Sequence, residues 1–98
     1  MQLKGIYMIK NIFNDKVYIG QAIDIEKRWL RHENLLINKK HHNKTLQSDF
    51  NLYGFKAFTF TAIEKKQCKR MTIKDKENLN KREQYYIKKY RKYFIMYN

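Results

Sequence analysis

The chain has 98 residues, enough for one modest hydrophobic core and too few for two, so a single domain over residues 1–98 is expected. Hydrophobic residues make up 43% and aromatics 15%, spread along the whole length, which excludes a disordered polyelectrolyte. Against that background 22 Lys and Arg face only 9 Asp and Glu, a formal charge of +13 that asks for a polyanionic partner.

Residues 5–10 and 16–20 are rich in Ile, Tyr and Val around the turn-forming pair Asn14-Asp15, a pattern that predicts a β-hairpin. Asp24 is a good N-cap for a helix to about residue 38, in which Ile25, Trp29, Leu36 and Ile37 recur at helical spacing. A basic loop over 39–44 leads to a short second helix carrying Leu46, Phe50 and Tyr53 and stopped by Gly54. Residues 58–63 alternate as a half-buried third strand should. After a polar stretch over 65–74, a long helix from about Asp75 to Lys92 sets Leu79, Glu83, Tyr86, Ile87 and Tyr90 on one face. The order β-β-α-α-β-α, with no repeat and no linker, predicts an α+β fold in which helices pack on one sheet.

The cations are interleaved with Tyr and Asn rather than set opposite one greasy face, which favours nucleic acid over a membrane as partner. A Lys-rich surface that is merely solvated is the plain alternative. Only 5 of the cations are Arg, so each stands out as a planar fork able to grip phosphate. The one cysteine, Cys68, has no internal partner, and no Cys/His cluster has zinc-site spacing; a reducing cytoplasm fits. No signal peptide and no apolar run of spanning length is present, so a soluble chain, monomeric by default, is expected.

Three groups of residues could carry chemistry. A two-residue Asn14-Asp15 turn pairs residues whose numbers sum to about 29, which by parity puts Tyr7 and Tyr18 on one sheet face. Two core tyrosines would look the same. On the first helix Arg28 and His32 are one turn apart and share a face beside Trp29, where a half-buried guanidinium could receive a phosphate; a surface Arg whose stem covers Trp29 is the bland version. Glu83 interrupts an apolar stripe, and an ionised carboxylate there is costly without a cation or donors. A divalent ion would compensate it, as would a salt bridge to Lys or a Tyr hydroxyl. His41 and His42 sit in the basic loop, with no carboxylate or Cys spaced to make them metal ligands.

Gly5-Ile6-Tyr7 and Tyr18-Ile19-Gly20, ten residues apart, resemble the two-part signature that names the GIY-YIG nuclease superfamily. The resemblance runs on through Arg28 and His32, through His41 and Asn43 ahead of Leu46-Gln47, through Gly54, through Glu83 in Arg82-Glu83-Gln84-Tyr85-Tyr86-Ile87, and to Tyr97-Asn98. It covers essentially the whole chain and is of the kind seen in nuclease domains of phage and intron homing endonucleases. What it implies is a three-stranded antiparallel sheet flanked by helices, with the site on the sheet face beside the first and third helices. It further implies a DNA endonuclease that hydrolyses phosphodiester bonds by attack of a metal-bound water. In that reading Glu83 ligates Mg²⁺ or Mn²⁺, Tyr7 is general base, and Tyr18 and His32 position groups or relay protons. Arg28 holds the scissile phosphate, while His41 and Asn98 are weaker transfers. A basic module that binds nucleic acid without cutting it, or a structural or toxin-like basic protein, is the competing class.

Overall fold

A computed structural model describes residues 2–68 and 70–98. Seven elements follow in order: β1 (Gln2–Asn11), β2 (Val17–Ala22), α1 (Ile25–Ile37), α2 (Lys44–Tyr53), a 3₁₀ turn (Phe55–Ala57), β3 (Phe58–Cys68) and α3 (Ile73–Tyr90). The strands form one antiparallel sheet in the order β2-β1-β3, which leaves β2 and β3 as edges. Lys69 and the Cys68 side chain lie outside the described residues.

Each helix begins where a side chain can satisfy its first free N–H groups. Asp24 accepts from the Lys27 N–H at the start of α1, and Asn43 from the Leu46 N–H at the start of α2. Thr72 and Asp75 cap α3 reciprocally. That box, with its first helical residue at Ile73, opens α3 two residues before the expected Asp75. Gly54, at φ +83°, ends α2 in a conformation costly for other residues.

The sheet is covered on both faces. Tyr7, Ile9 and Ala22 pack with Ile25 and Leu36 of α1 and Leu46 of α2. On the other side Ile6 and Ile19 pack with Leu79 of α3, joined by Ile63, Tyr86 and Ile87. The helices predicted to share one face with the site therefore do not: α1 and α3 lie on opposite faces, because neighbouring residues Ile6 and Tyr7 point to opposite sides of β1.

The hairpin is longer than expected. Its pairs sum to 27, as in Tyr7↔Gly20 and Lys10↔Val17. Hydrogen bonds from Asn11 N–H to Lys16 O (2.9 Å) and Asp15 N–H to Asn11 O (2.8 Å) close a four-residue loop with Asp15 at φ +60°. The Asn11 side chain folds back to accept from Phe13 N–H (2.9 Å), which a two-residue turn leaves no room for. Both registers have the same parity, so the shared face of Tyr7 and Tyr18 survives the correction.

β3 also runs five residues past its expected end at Ile63, through Lys65-Lys66-Gln67. Its pairing to β1 slips between Ile6↔Glu64 and Tyr7↔Ala62, so Ile63 is the extra residue of a bulge. At Gly5, φ is +157° and a Cβ would sit 1.8 Å from the Glu64 carbonyl oxygen, so only glycine lets the two strands close beside that bulge. Polar residues here alternate on a solvated edge, a pattern that periodicity reads as loop.

Residues 95–97 return alongside β2, where Val17 N–H donates to Ile95 O (3.0 Å) and Tyr97 N–H to Val17 O (2.7 Å). The Tyr97 hydroxyl donates to Asp49 (2.6 Å) and accepts from the fully buried Asn11 (3.2 Å), tying this segment to the hairpin and α2. No helix of the described residues is long and apolar enough to cross a membrane.

Candidate active site

The Tyr7 ring leans over Gly20, its partner across the hairpin. A Cβ at Gly20 would lie 2.3 Å from the Tyr7 hydroxyl, so the absent side chain is what lets the phenol reach the edge of β2. Tyr18 stacks beside it, ring centroids 6.4 Å apart. Tyr7 is buried and Tyr18 partly exposed.

Behind the phenols runs a line of hydrogen bonds. The Tyr7 hydroxyl is 2.6 Å from His32 Nε2, and His32 Nδ1 is 2.7 Å from His41 Nε2. His41 Nδ1 accepts from the Asn43 N–H at 3.0 Å. Burial first, then the nearby cationic and imidazole groups, lower the pKa of His32 from 6.5 to about 3, and burial and His42 lower that of His41 to about 4. Both rings are therefore neutral near pH 7, and each carries one N–H.

A backbone N–H can only donate, so His41 Nδ1 is the acceptor and its proton sits on Nε2. It follows that His41 donates to His32 Nδ1, that the His32 proton sits on Nε2, and that His32 donates to the Tyr7 oxygen. The Tyr7 proton is left to point away from His32, on the side where the Tyr18 ring stacks. His32 is thus a fixed donor to Tyr7 and not an acceptor of its proton. Gln47 holds the loop in place by accepting from the His41 N–H (3.0 Å) and donating to Leu36 O (3.0 Å).

Arg28 is exposed on α1 and not half-buried as expected, since the sheet's edge offers it no cover. Its charge acts on Tyr7, Tyr18, His32 and Glu83. With Lys27 and Arg31 it lines a surface depression of about 220 Å³ beside Ala22 and Asp24.

Glu83 arrives from the opposite face. It is half-buried on α3, one turn beyond Asn80, which accepts from the Gln21 amide of β2. Burial raises the Glu83 pKa, only partly offset by Gln21 and Arg28. Burial likewise raises the pKa of Tyr7 and Tyr18, and the charge of Glu83 raises both further. The charge of the acid is therefore felt by both phenols across the Gly20–Gln21 end of β2.

Of the residues singled out in the sequence, Tyr7, Tyr18, His32 and His41 are in direct contact at this edge, and the charges of Arg28 and Glu83 act on both phenols. His42 is exposed, stacks on His41 (centroids 4.5 Å apart) and meets the Tyr18 ring edge-on (6.5 Å), while it is His41 that enters the hydrogen-bonded line. Asn98 does not join them: its amide accepts from Ile19 N–H (3.2 Å) and donates to Ile19 O (2.5 Å), prolonging the pairing along β2. Sequence reasoning overlooked Gln21 and the backbone N–H of Asn43; the first follows the Tyr18-Ile19-Gly20 motif directly, the second leaves no trace in side-chain chemistry.

Among the described residues no group of three His, Cys, Asp or Glu side chains is arranged to hold a metal ion, and Glu83 makes no ion pair. A half-buried carboxylate with incomplete neutralisation still fits magnesium, which takes one carboxylate, several waters and phosphate oxygens.

This fold and this cluster place the chain in the GIY-YIG catalytic domain family, whose model matches residues 3–98. The chain is 42% identical over 74 residues, 76% of its length, to intron-associated endonuclease 1 of Enterobacteria phage T4, and it spans only 30% of that protein. Two solved structures of the catalytic domain of the homing endonuclease I-TevI, one of them a mutant, are similar throughout. They superpose with TM-scores of 0.76 and 0.75 at 36% and 37% identity, covering 90% and 88% of this chain and 84% and 86% of theirs.

Proposed function

We propose that this chain is a DNA endonuclease unit that hydrolyses phosphodiester bonds with a divalent ion, Mg²⁺ or Mn²⁺, held by Glu83. The observation that carries the reading is the Tyr7–His32–His41 line of hydrogen bonds at the edge of β2, on whose phenol the charges of Arg28 and Glu83 both act.

Arg28, exposed and beside the phenols, receives the scissile phosphate and stabilises charge as it builds on the oxygens. Tyr18, the more exposed phenol, orients the attacking water; Tyr7 behind it first releases its own proton outward to solvent and, as the phenolate, is the base that takes the water's proton. Donation from His32 Nε2 stabilises negative charge on the Tyr7 oxygen, a bond to a charged group being worth about 1.5–3 kcal/mol, and the nearby Arg28 charge favours the same form. His41 holds His32 in the donating tautomer. The ion, when bound, supplies Lewis acidity, a lowered pKa for its water and cancellation of the Glu83 charge felt by the two phenols.

The test is incubation of supercoiled plasmid with the chain and Mg²⁺ or Mn²⁺. Nicked or linear product is expected. Persistent supercoiled DNA beside a normal gel shift would leave a module that binds without cutting.

A further inference from the structure

A broad groove lies away from the phenols, between α3 and the β1–β3 side of the sheet. It encloses about 590 Å³. Its lining carries five Lys and Arg against two acids, and both acids are already satisfied. Glu64 is gripped by Arg82 (3.0 Å) and accepts from the Tyr86 hydroxyl (2.8 Å), while Asp75 pairs with Lys4 (2.7 Å).

The floor contains an electrostatic oddity. Lys4 and Lys66 are direct cross-strand partners, and like charges so placed disfavour the pairing unless an anion lies between or above them. Asp75 answers Lys4 alone; among the described residues neither Lys66 nor Lys81, on the facing wall of α3, has an ion-pair partner. Tyr85, 49% exposed, forms the rim with the Arg82 guanidinium stacked 4.7 Å from its ring centre. A concave, net positive trough with an aromatic rim matches a phosphate–sugar backbone.

We propose that this groove is a second, non-catalytic seat for a DNA backbone, so that the chain grips two stretches of DNA, one at the phenols and one under α3. The proposal rests on the nuclease reading for the choice of DNA as polyanion. Phosphate contacts from Lys66 and Lys81 carry no base information, so this seat is indifferent to sequence.

A short duplex titrated into ¹⁵N-labelled chain is expected to shift the amides of Lys66, Lys81 and Tyr85 as well as that of Arg28. The Lys66→Glu/Lys81→Glu variant is expected to lower the stoichiometry from about two duplexes to about one, a loss that the charge-matched Lys56→Glu/Lys92→Glu variant does not produce. Equal effects of the two variants, or silent groove amides, would overturn it. Groove shifts without plasmid cleavage would sink the catalytic reading and uphold this one; cleavage with a silent groove would do the reverse.

Discussion

The Tyr7 hydroxyl lies 2.6 Å from His32 Nε2, and the direction of that bond is decided farther back, at the backbone N–H of Asn43. Because Asn43 can only donate, both histidines carry their proton on Nε2. Nitrogen-15 chemical shifts near pH 7 are expected to report neutral Nε2–H tautomers for His32 and His41. An Nδ1–H signal on His32 would reverse the line and make that ring an acceptor of the Tyr7 proton.

Removing the charge-handling groups should separate cutting from binding. Glu83→Ala and Arg28→Ala are each expected to reduce cleavage about 100-fold or more, as loss of a preorganised electrostatic group does. Gel shifts should stay close to normal and remain salt-sensitive, since the other cations of a chain charged +13 supply most of the attraction. Either variant cutting at the parent rate would contradict its role.

The two outer glycines of the signature motifs serve different ends, and substitution should tell them apart. Gly20→Ala puts a Cβ 2.3 Å from the Tyr7 hydroxyl, at the movable end of a side chain. Thermal unfolding is expected to report a folded protein destabilised by about 1–3 kcal/mol, with activity largely lost as the phenol is displaced. Gly5→Ala sets its Cβ 1.8 Å from backbone at φ +157°, so the β1–β3 pairing itself must yield and soluble folded protein should not be recovered.

Stability should fall with acid before carboxylates titrate. His32 and His41 have folded pKa values of about 3 and about 4, below their ordinary 6.5, so the unfolded chain binds more protons between those limits. Stability is then full above about pH 6.5 and declines as pH drops toward 4, by at most about 1.4 kcal/mol per pH unit for each histidine. Denaturant midpoints measured from pH 7 to 4 check this. His41→Gln should flatten the slope, and an unchanged slope would contradict burial as its cause.

Tyr97→Phe removes a hydroxyl that joins Asp49 to Asn11. Asn11 is fully buried and loses a partner, for an expected cost of about 1–3 kcal/mol in urea unfolding. Since the Tyr97 hydroxyl bonds Asp49 and Asn11 and no member of the Tyr7–His32–His41 line, cleavage per folded molecule should be unchanged.

Local chemistry was legible without coordinates. Caps at Asp24 and Gly54, the 3.6-residue stripe through Leu79 and Ile87, and the alternation of Phe58 to Ile63 each depend on neighbours a few positions away, so they placed the strands and helices in their order. Parity put Tyr7 and Tyr18 on one face even though the loop was misjudged, because a two-residue change in register preserves the face. What only the tertiary structure decided were relations between distant segments. The bulge at Ile63 and the long edge of β3 depend on pairing with β1, and the exposure of Arg28 depends on where the sheet ends. The entry of Glu83 from the far face depends on how α3 packs on Ile6 and Ile19. The polarity of the histidine line depends on a main-chain N–H, a donor that every residue but proline carries, and only the folded path of the chain brings this one to His41.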